Sequence, residues 1–205
     1  LDYFDLHGAN PRRWEIGVKE VWEVEKPLDR VIHTMGWPLR KRAKWNEFGG
    51  SFIYPMGEDK VAIGLVVGLD TTDATFSCHD GLQELKLHPF VKRILEGGKR
   101  VAWGAKTIPS GGYWSMPKRL STPGMVIAGD AACMVNVPTL KGIHYAMHAG
   151  IYAAEAIVEA LKKDSVNFED YERKVKHSVI EDDLYRSRNM RQVFSKGFFV
   201  GGALA

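Results

Sequence analysis

The run Val126-Ile127-Ala128-Gly129-Asp130-Ala131-Ala132, followed by Asn136-Val137-Pro138-x-x-Lys141-Gly142, is the sharpest chemical signal in the sequence. A short apolar strand ending in Gly-Asp has a physical use. The glycine lets a ligand approach the backbone. The aspartate can accept hydrogen bonds from ligand hydroxyls, as on a ribityl or ribose chain. A helix beginning after the second run, around Leu140 to Ile143, offers unpaired N–H groups and the positive end of its dipole. Such groups stabilise the negative charge that develops on the N1–C2=O edge of a flavin as its ring is reduced. The alternative is a plain strand–turn–helix in which Asp130 caps the helix. The loop and the small-residue helix behind it favour flavin binding. Gly129, Asp130, Asn136, Pro138, Leu140, Lys141, Gly142 and Ile143 are the expected cofactor contacts.

Other residues invite chemistry with less support. His33 could protonate a ligand, but its plainer role is a strand histidine with a satisfied core hydrogen bond. His144 and His148 lie four apart on the predicted helix, a spacing that can bind zinc. A third ligand is not evident, and no metal site is expected. Arg40-Lys41-Arg42-Ala43-Lys44-Trp45 is the strongest charge run. It reads as a solvated loop or as a contact with anionic lipid headgroups, where each basic residue contributes about 1 kcal/mol. Trp45 and Phe48 beside it suit a lipid boundary. Arg186, Arg188 and Arg191, followed by Phe194, Phe198 and Phe199, form a second membrane-surface candidate. That stretch is too short to span a bilayer and suits an in-plane anchor, or else packs in the core.

Composition removes several classes. The 205 residues are 45% hydrophobic and 26% charged, which excludes disorder, collagen and coiled coil as the main state. A net charge of +3 set against 28 basic and 25 acidic residues gives no case for nucleic acid. Two cysteines, Cys78 and Cys133, can make neither a disulfide scaffold nor a four-cysteine metal site, so a reducing compartment is expected. The opening residues LDYFDLHGAN have no basic start and no apolar run, unlike a secretion signal. No stretch reaches the roughly 18 apolar residues of a spanning helix.

These residues need elements to hold them. Period-two alternation predicts strands at 14–24, 31–34, 49–55, 60–68 and 99–108, with a hairpin turn at Met56 to Asp59. Lys60 to Gly68 is apolar on both faces and should be central. Residues 80–96 switch to helical spacing, broken at Pro89. Met125 to Ala128 reads as a short buried strand. A helix is expected from about Thr139 to Lys162 or Lys163, with the small residues Ala146, Ala149, Gly150, Ala153 and Ala154 packing closely and Ile143, Met147, Ile151, Ile157, Val158 and Leu161 making apolar contacts. A second helix is expected from Phe168 to about Arg191. The fold class is therefore α/β (α+β): an antiparallel-sheet domain over 1–118, with a helical insertion, and a second domain over 119–205.

Six segments carry a resemblance: H-T-M-G-W-P-L (33–39), G-G-S-F-I-Y (49–54), V-V-G-L-D (66–70), L-E-G-G-K-R (95–100), G-G-Y-W-S-M-P-K (111–118) and N-V-P-x-x-K-G (136–142). In this order they resemble the electron transfer flavoprotein–ubiquinone oxidoreductase family over roughly residues 14–204. The resemblance implies a flavoprotein-type fold in which an antiparallel quinone domain is joined to the closing strand and helix of an FAD domain. It implies FAD and an iron–sulfur cluster as cofactors. It also implies electron transfer flavoprotein, a quinone and a membrane surface as partners, with a ferredoxin-like protein as a further one. The location implied is peripheral on an inner (cytoplasmic or mitochondrial) membrane. Gly49-Gly50 matches the family's glycine pair at the quinone head group; glycine pairs otherwise mark a strand-start bulge or turn. Two features depart from the family. No G-x-G-x-x-G follows an opening strand, so the turn for the FAD pyrophosphate is absent from this sequence. The cluster's cysteine ligands are absent too. The chain is thus expected to be part of an enzyme. A prenyl-lipid reductase of the geranylgeranyl type, and an inactive membrane-docking or partner-binding piece, are the alternatives.

Overall fold

A computed structural model of the chain describes residues 1–39, 48–71, 73, 75–194 and 200. They form two compact units, Trp14–Ile108 and Leu1–Arg13 with Pro109–Phe194.

The first unit is a five-stranded sheet in the order β2-β3-β4-β1-β5, formed by β1 (Trp14–Glu23), β2 (Ile32–Met35), β3 (Gly49–Pro55), β4 (Lys60–Gly68) and β5 (Lys99–Pro109). β1 and β3 pair antiparallel with β4, and β2 pairs antiparallel with β3. The continuous apolar run of β4 occupies the middle position, as its composition predicts. Gly57, at φ 78°, takes the left-handed conformation the β3–β4 hairpin needs. One sheet face carries Ile16 and Val18 of β1, Ile53 of β3, and Val61, Ile63, Leu65 and Val67 of β4. Helices α1 (Cys78–Leu87) and α2 (Pro89–Leu95) cover it with Leu82, Leu85, Val91 and Leu95. Ser77 caps α1, its hydroxyl accepting from Asp80 N–H, and Pro89 starts α2 where no N–H is needed.

The second unit is mainly helical. Its only described strand pair is β6 (Ser121–Thr122) with β7 (Met125–Val126). The expected four-residue buried strand is shorter and half-buried: Val126 pairs with Ser121, and Ile127 N–H is held by the Leu120 carbonyl. A 3-10 turn over Gly129–Ala132 follows, then the loop to Gly142. The long helix α3 runs Ile143–Lys162 and so starts four residues later than expected. The cause is a backbone bridge closing the loop, Asn136 N–H to the Lys141 carbonyl (2.8 Å) and Lys141 N–H to the Asn136 carbonyl (3.2 Å). The expected second helix breaks into α4 (Glu169–Lys176), α5 (Val179–Arg186) and α6 (Met190–Phe194). Ser178 makes the first break by capping α5 with its hydroxyl on Ile180 N–H.

Helix α3 packs by its small residues, as expected of Ala149 and Ala153, and Ile157 packs against the same cluster, but most of its large apolar residues do not. Ala149, Ala153, Ala156 and Ala160 are buried with Tyr171, Val175, Ile180 and Leu184 of α4 and α5. Ile143 (81% exposed), Met147, Ile151, Val158 and Leu161 point outward. Small side chains let helices approach closely, so the alanine stripe took the helix–helix contact.

Candidate functional site

The second unit gathers the residues expected at a flavin. Gly129 lies at φ 60°, and a Cβ on it would stand 3.0 Å from the Ala146 Cβ of α3. Glycine is therefore required twice over, by conformation and by the close approach of the helix. Asp130 is exposed, and its carboxylate makes no hydrogen bond among the described residues. It does not cap α3: Gly142 is the cap residue, and no side chain caps this helix. The first N–H groups of α3 therefore have no side-chain acceptor. The loop before it is compact. Asn136 is buried and its side-chain oxygen accepts from Thr139 N–H at 3.2 Å, while Leu140 takes a left-handed turn at φ 55°. Pro138, Leu140, Lys141 and Ile143 are exposed on or beside this loop. An unpartnered carboxylate, an uncapped helix start and an exposed apolar rim fit the ribityl and ring portions of a flavin.

The first unit places Gly49-Gly50 at the start of β3. Gly50 lies opposite Met35 of β2 and Val66 of β4. A Cβ there would be 2.2 Å from the Thr34 carbonyl oxygen. One on Gly49 (φ 154°) would be 2.3 Å from the Val66 carbonyl oxygen. Strand packing therefore already demands glycine at both positions. Only Gly50, opposite Val66, falls on the sheet face that the helices leave bare; Gly49, opposite the core residue Val67, falls on the covered face.

That face is legible from the register. One row across the sheet is Met35–Gly50–Val66–Gly17, and the next is His33–Phe52–Gly64–Lys19. Tyr54, Ala62 and Val21 form a third. Sequence reasoning missed Phe52, Tyr54 and Gly64, although the alternation Gly50, Phe52, Tyr54 was there to be read. It also expected a core hydrogen bond for His33, which the structure instead exposes on this face. The reason is parity: Ile32 and Thr34 take the helix side, so His33 and Met35 take the other.

Of the membrane-surface candidates, Trp45, Phe198 and Phe199 lie outside the described residues. Phe48 is half-buried and its carbonyl accepts Gly68 N–H at 2.8 Å; Phe194 ends α6. No helix among the described residues is long and apolar enough to cross a membrane. His144 and His148 are exposed on α3, and no group of three or more metal-binding side chains exists among the described residues. The donor set does not fit an iron–sulfur cluster. Cys78 and Cys133 are buried in different units, and burial raises both thiols, Cys78 to about 11.

A buried charge cluster was also missed. Glu20 is 1% exposed beneath α1. Its carboxylate accepts from Trp22 Nε1 (2.8 Å), Lys86 Nζ (2.8 Å), Arg100 Nη1 (3.1 Å) and Gln83 Nε2 (3.3 Å). Burial pushes its carboxyl up, but the bonds from Lys86, Trp22, Gln83 and Arg100 outweigh this and hold it at about 2. A glutamate inside the apolar alternation Ile16-Val18-Glu20-Trp22 was the available signal.

A family model described as "ETF-QO, ubiquinone-binding" matches residues 14–108, the sheet unit. The mitochondrial electron transfer flavoprotein–ubiquinone oxidoreductase of Oryza sativa subsp. japonica is 42% identical over 195 residues, covering 94% of this chain and 33% of its own length. The chain belongs to the electron transfer flavoprotein–ubiquinone oxidoreductase family. It spans about a third of the length of the curated relatives it matches. Among solved structures, a geranylgeranyl bacteriochlorophyll reductase-like protein from Thermoplasma acidophilum aligns with TM-score 0.68 at 17% identity, over 89% of this chain and 44% of its own. The flavin-dependent brominase Bmp2 aligns with TM-score 0.58 at 18% identity, over 96% of this chain and 53% of its own. At such identities the likeness establishes the fold alone: a mixed α/β flavoenzyme fold with an antiparallel sheet.

Proposed function

We propose that the chain is part of an FAD-dependent oxidoreductase that passes electrons from reduced electron transfer flavoprotein to ubiquinone. The observation that carries this reading is the ubiquinone-binding match on residues 14–108, the unit whose sheet leaves one face free of its own helices. The quinone head group would lie on that face beside Gly50, which carries no side chain there, with Gly49 adjoining it in the strand. FAD, when bound, would supply the redox chemistry between the donor and the quinone. Asp130 would accept hydrogen bonds from its ribityl or ribose hydroxyls. The first N–H groups of α3, near Ile143, would face its ring and stabilise charge there. Asn136, Pro138, Leu140, Lys141 and Gly142 would shape the loop against it.

No step is assigned to an iron–sulfur cluster in this chain, whose cysteines do not fit one; a ferredoxin-like partner is one source of the family's cluster. Drawing a long-tailed quinone from a bilayer calls for a membrane-surface location, with Trp45, Phe48, Phe194, Phe198 and Phe199 as its proposed contacts. The test is anaerobic: the complete FAD-loaded protein is mixed with reduced electron transfer flavoprotein and then with a short-tailed ubiquinone. Flavin bleaching followed by reoxidation is expected. A flavin that the donor reduces but ubiquinone never reoxidises would overturn the assignment.

A further inference from the structure

We propose that His33 is the acid that protonates the quinone, on a head-group wall it forms with Phe52 beside Gly50; this rests on the quinone reading above. A Cβ built on Gly64 would stand 2.3 Å from Phe52 Cζ, 2.7 Å from Cε1 and 3.0 Å from Cε2. The Phe52 ring therefore lies along the sheet over Gly64 instead of standing off it. Tyr54 continues the surface, its ring stacked on Phe52 at 5.6 Å between centroids and 26° between planes. A flat aromatic floor one row from Gly50 suits a planar quinone ring.

His33 is directly opposite Phe52 and diagonal to Gly50 in the antiparallel register. Directly opposite residues have Cβ atoms about 5 Å apart and diagonal positions lie about 7–8 Å apart, so an imidazole can reach a ring resting on Phe52. His33 is exposed and makes no hydrogen bond or ion pair among the described residues. His7 is engaged by Asp2, His88 Nδ1 by Phe90 N–H and His177 Nδ1 by the Arg173 carbonyl, while His144 and His148 are exposed on α3 in the other unit. The other titratable or charged groups on this face are Lys19 in the same row, Tyr54, Glu15 and Lys60, the last paired with Asp59 and Glu23. Imidazole is the group whose charge ordinarily changes between pH 5 and 8.

The step balances simply. The quinone gains two electrons from reduced flavin and two protons. One N–H bond of the His33 imidazolium breaks as an O–H bond forms on the nearer carbonyl oxygen, which becomes a phenol. The second proton comes from water, and solvent reprotonates the exposed imidazole.

The test uses the complete FAD-loaded protein with His33→Gln. Flavin reduction by the donor is expected to keep its wild-type rate. Reoxidation by a short-tailed benzoquinone should slow about 10²-fold at pH 6–7, and added imidazole should restore part of the rate. Wild-type reoxidation should fall as pH rises through the histidine range, and His33→Gln should lose that dependence. Independently of turnover, an azido-benzoquinone should label the strands holding His33 and Phe52. Wild-type rate and pH profile in His33→Gln overturn the proposal, as does labelling elsewhere. If the variant does not fold, a wild-type reoxidation rate flat from pH 5.5 to 8 overturns it. A wild-type protein that reduces no quinone at all overturns the parent reading, and His33 with it.

Discussion

Glu20→Gln removes one charge and almost no volume from the cluster beneath α1. The Glu20 carboxyl sits at about 2 in the folded chain against an ordinary 4.5. At about 1.4 kcal/mol per unit, that difference corresponds to roughly 3 kcal/mol in favour of the folded state. Lys86, 14% exposed, supplies the best-shielded part; Arg100, 45% exposed, is screened by water and adds less. The variant should therefore lose about 2–3 kcal/mol at pH 7, because it also leaves Lys86 without its partner. The sign with pH follows from the depressed carboxyl. Its contribution is complete above about pH 4.5 and disappears as pH falls toward 2. Urea unfolding followed by tryptophan fluorescence suits the test, since Trp22 donates to Glu20. The gap between wild type and Glu20→Gln should be largest at pH 7 and shrink steadily below pH 4.5. A gap that stays constant down to about pH 2.5, or one below about 0.5 kcal/mol at pH 7, would refute the reasoning, because packing and not charge would then explain the site.

Gly50→Ala places a methyl against the Thr34 carbonyl and should lower stability by about 1–3 kcal/mol; an unchanged thermal melt would show that β2 can move aside. Asp130→Asn in the complete protein should reduce flavin retained through gel filtration without shifting the melt, since the exposed carboxylate has no protein partner. The 205-residue chain alone should bind FAD weakly in equilibrium dialysis because it holds no G-x-G-x-x-G turn for the pyrophosphate, and nanomolar binding would contradict this. Tyr113, raised to about 12 by burial and by its 2.7 Å bond to Glu181, should ionise late in an ultraviolet titration, with the more deeply buried Tyr171 later still; Tyr113→Phe should remove one late step, leave that of Tyr171, and cost about 1 kcal/mol.

The sheet unit was legible because local signals decide it. Period-two alternation in β1 and β3, the apolar run of β4 and the turn at Gly57 leave few other arrangements. Pro89 marked the α1–α2 break for the same reason, since proline fits a helix start and not a helix middle. What stayed hidden was tertiary. Glu20 is an ordinary charged residue in one dimension. Its burial is possible only because Gln83 and Lys86, one turn apart on α1, and Arg100 on β5 converge on it. The start of α3 was misplaced because Thr139 to Gly142 tolerate a helix, and only the Asn136–Lys141 bridge removes them from it.

Helix α3 shows where a periodic pattern ceases to specify a partner. Its alanines and its large apolar residues form two stripes, and each could be the buried one. The hydrophobic effect alone would bury Ile143, Met147, Ile151, Val158 and Leu161, since each offers more apolar area than an alanine. The chain buries the alanines because α4 and α5 bring Tyr171, Val175, Ile180 and Leu184 to them, and large side chains on one helix need small ones opposite. The same logic governs the glycines of the sheet. At Gly50 the missing side chain makes room for the Thr34 carbonyl, and at Gly64 for the Phe52 ring. One is filled by backbone, the other by a ring laid flat. A substitution at Gly64 would therefore lift Phe52 off the sheet and roughen the surface proposed for the quinone, whereas one at Gly50 would separate β2 from β3. Stability and quinone reoxidation should part company at Gly64 and fall together at Gly50.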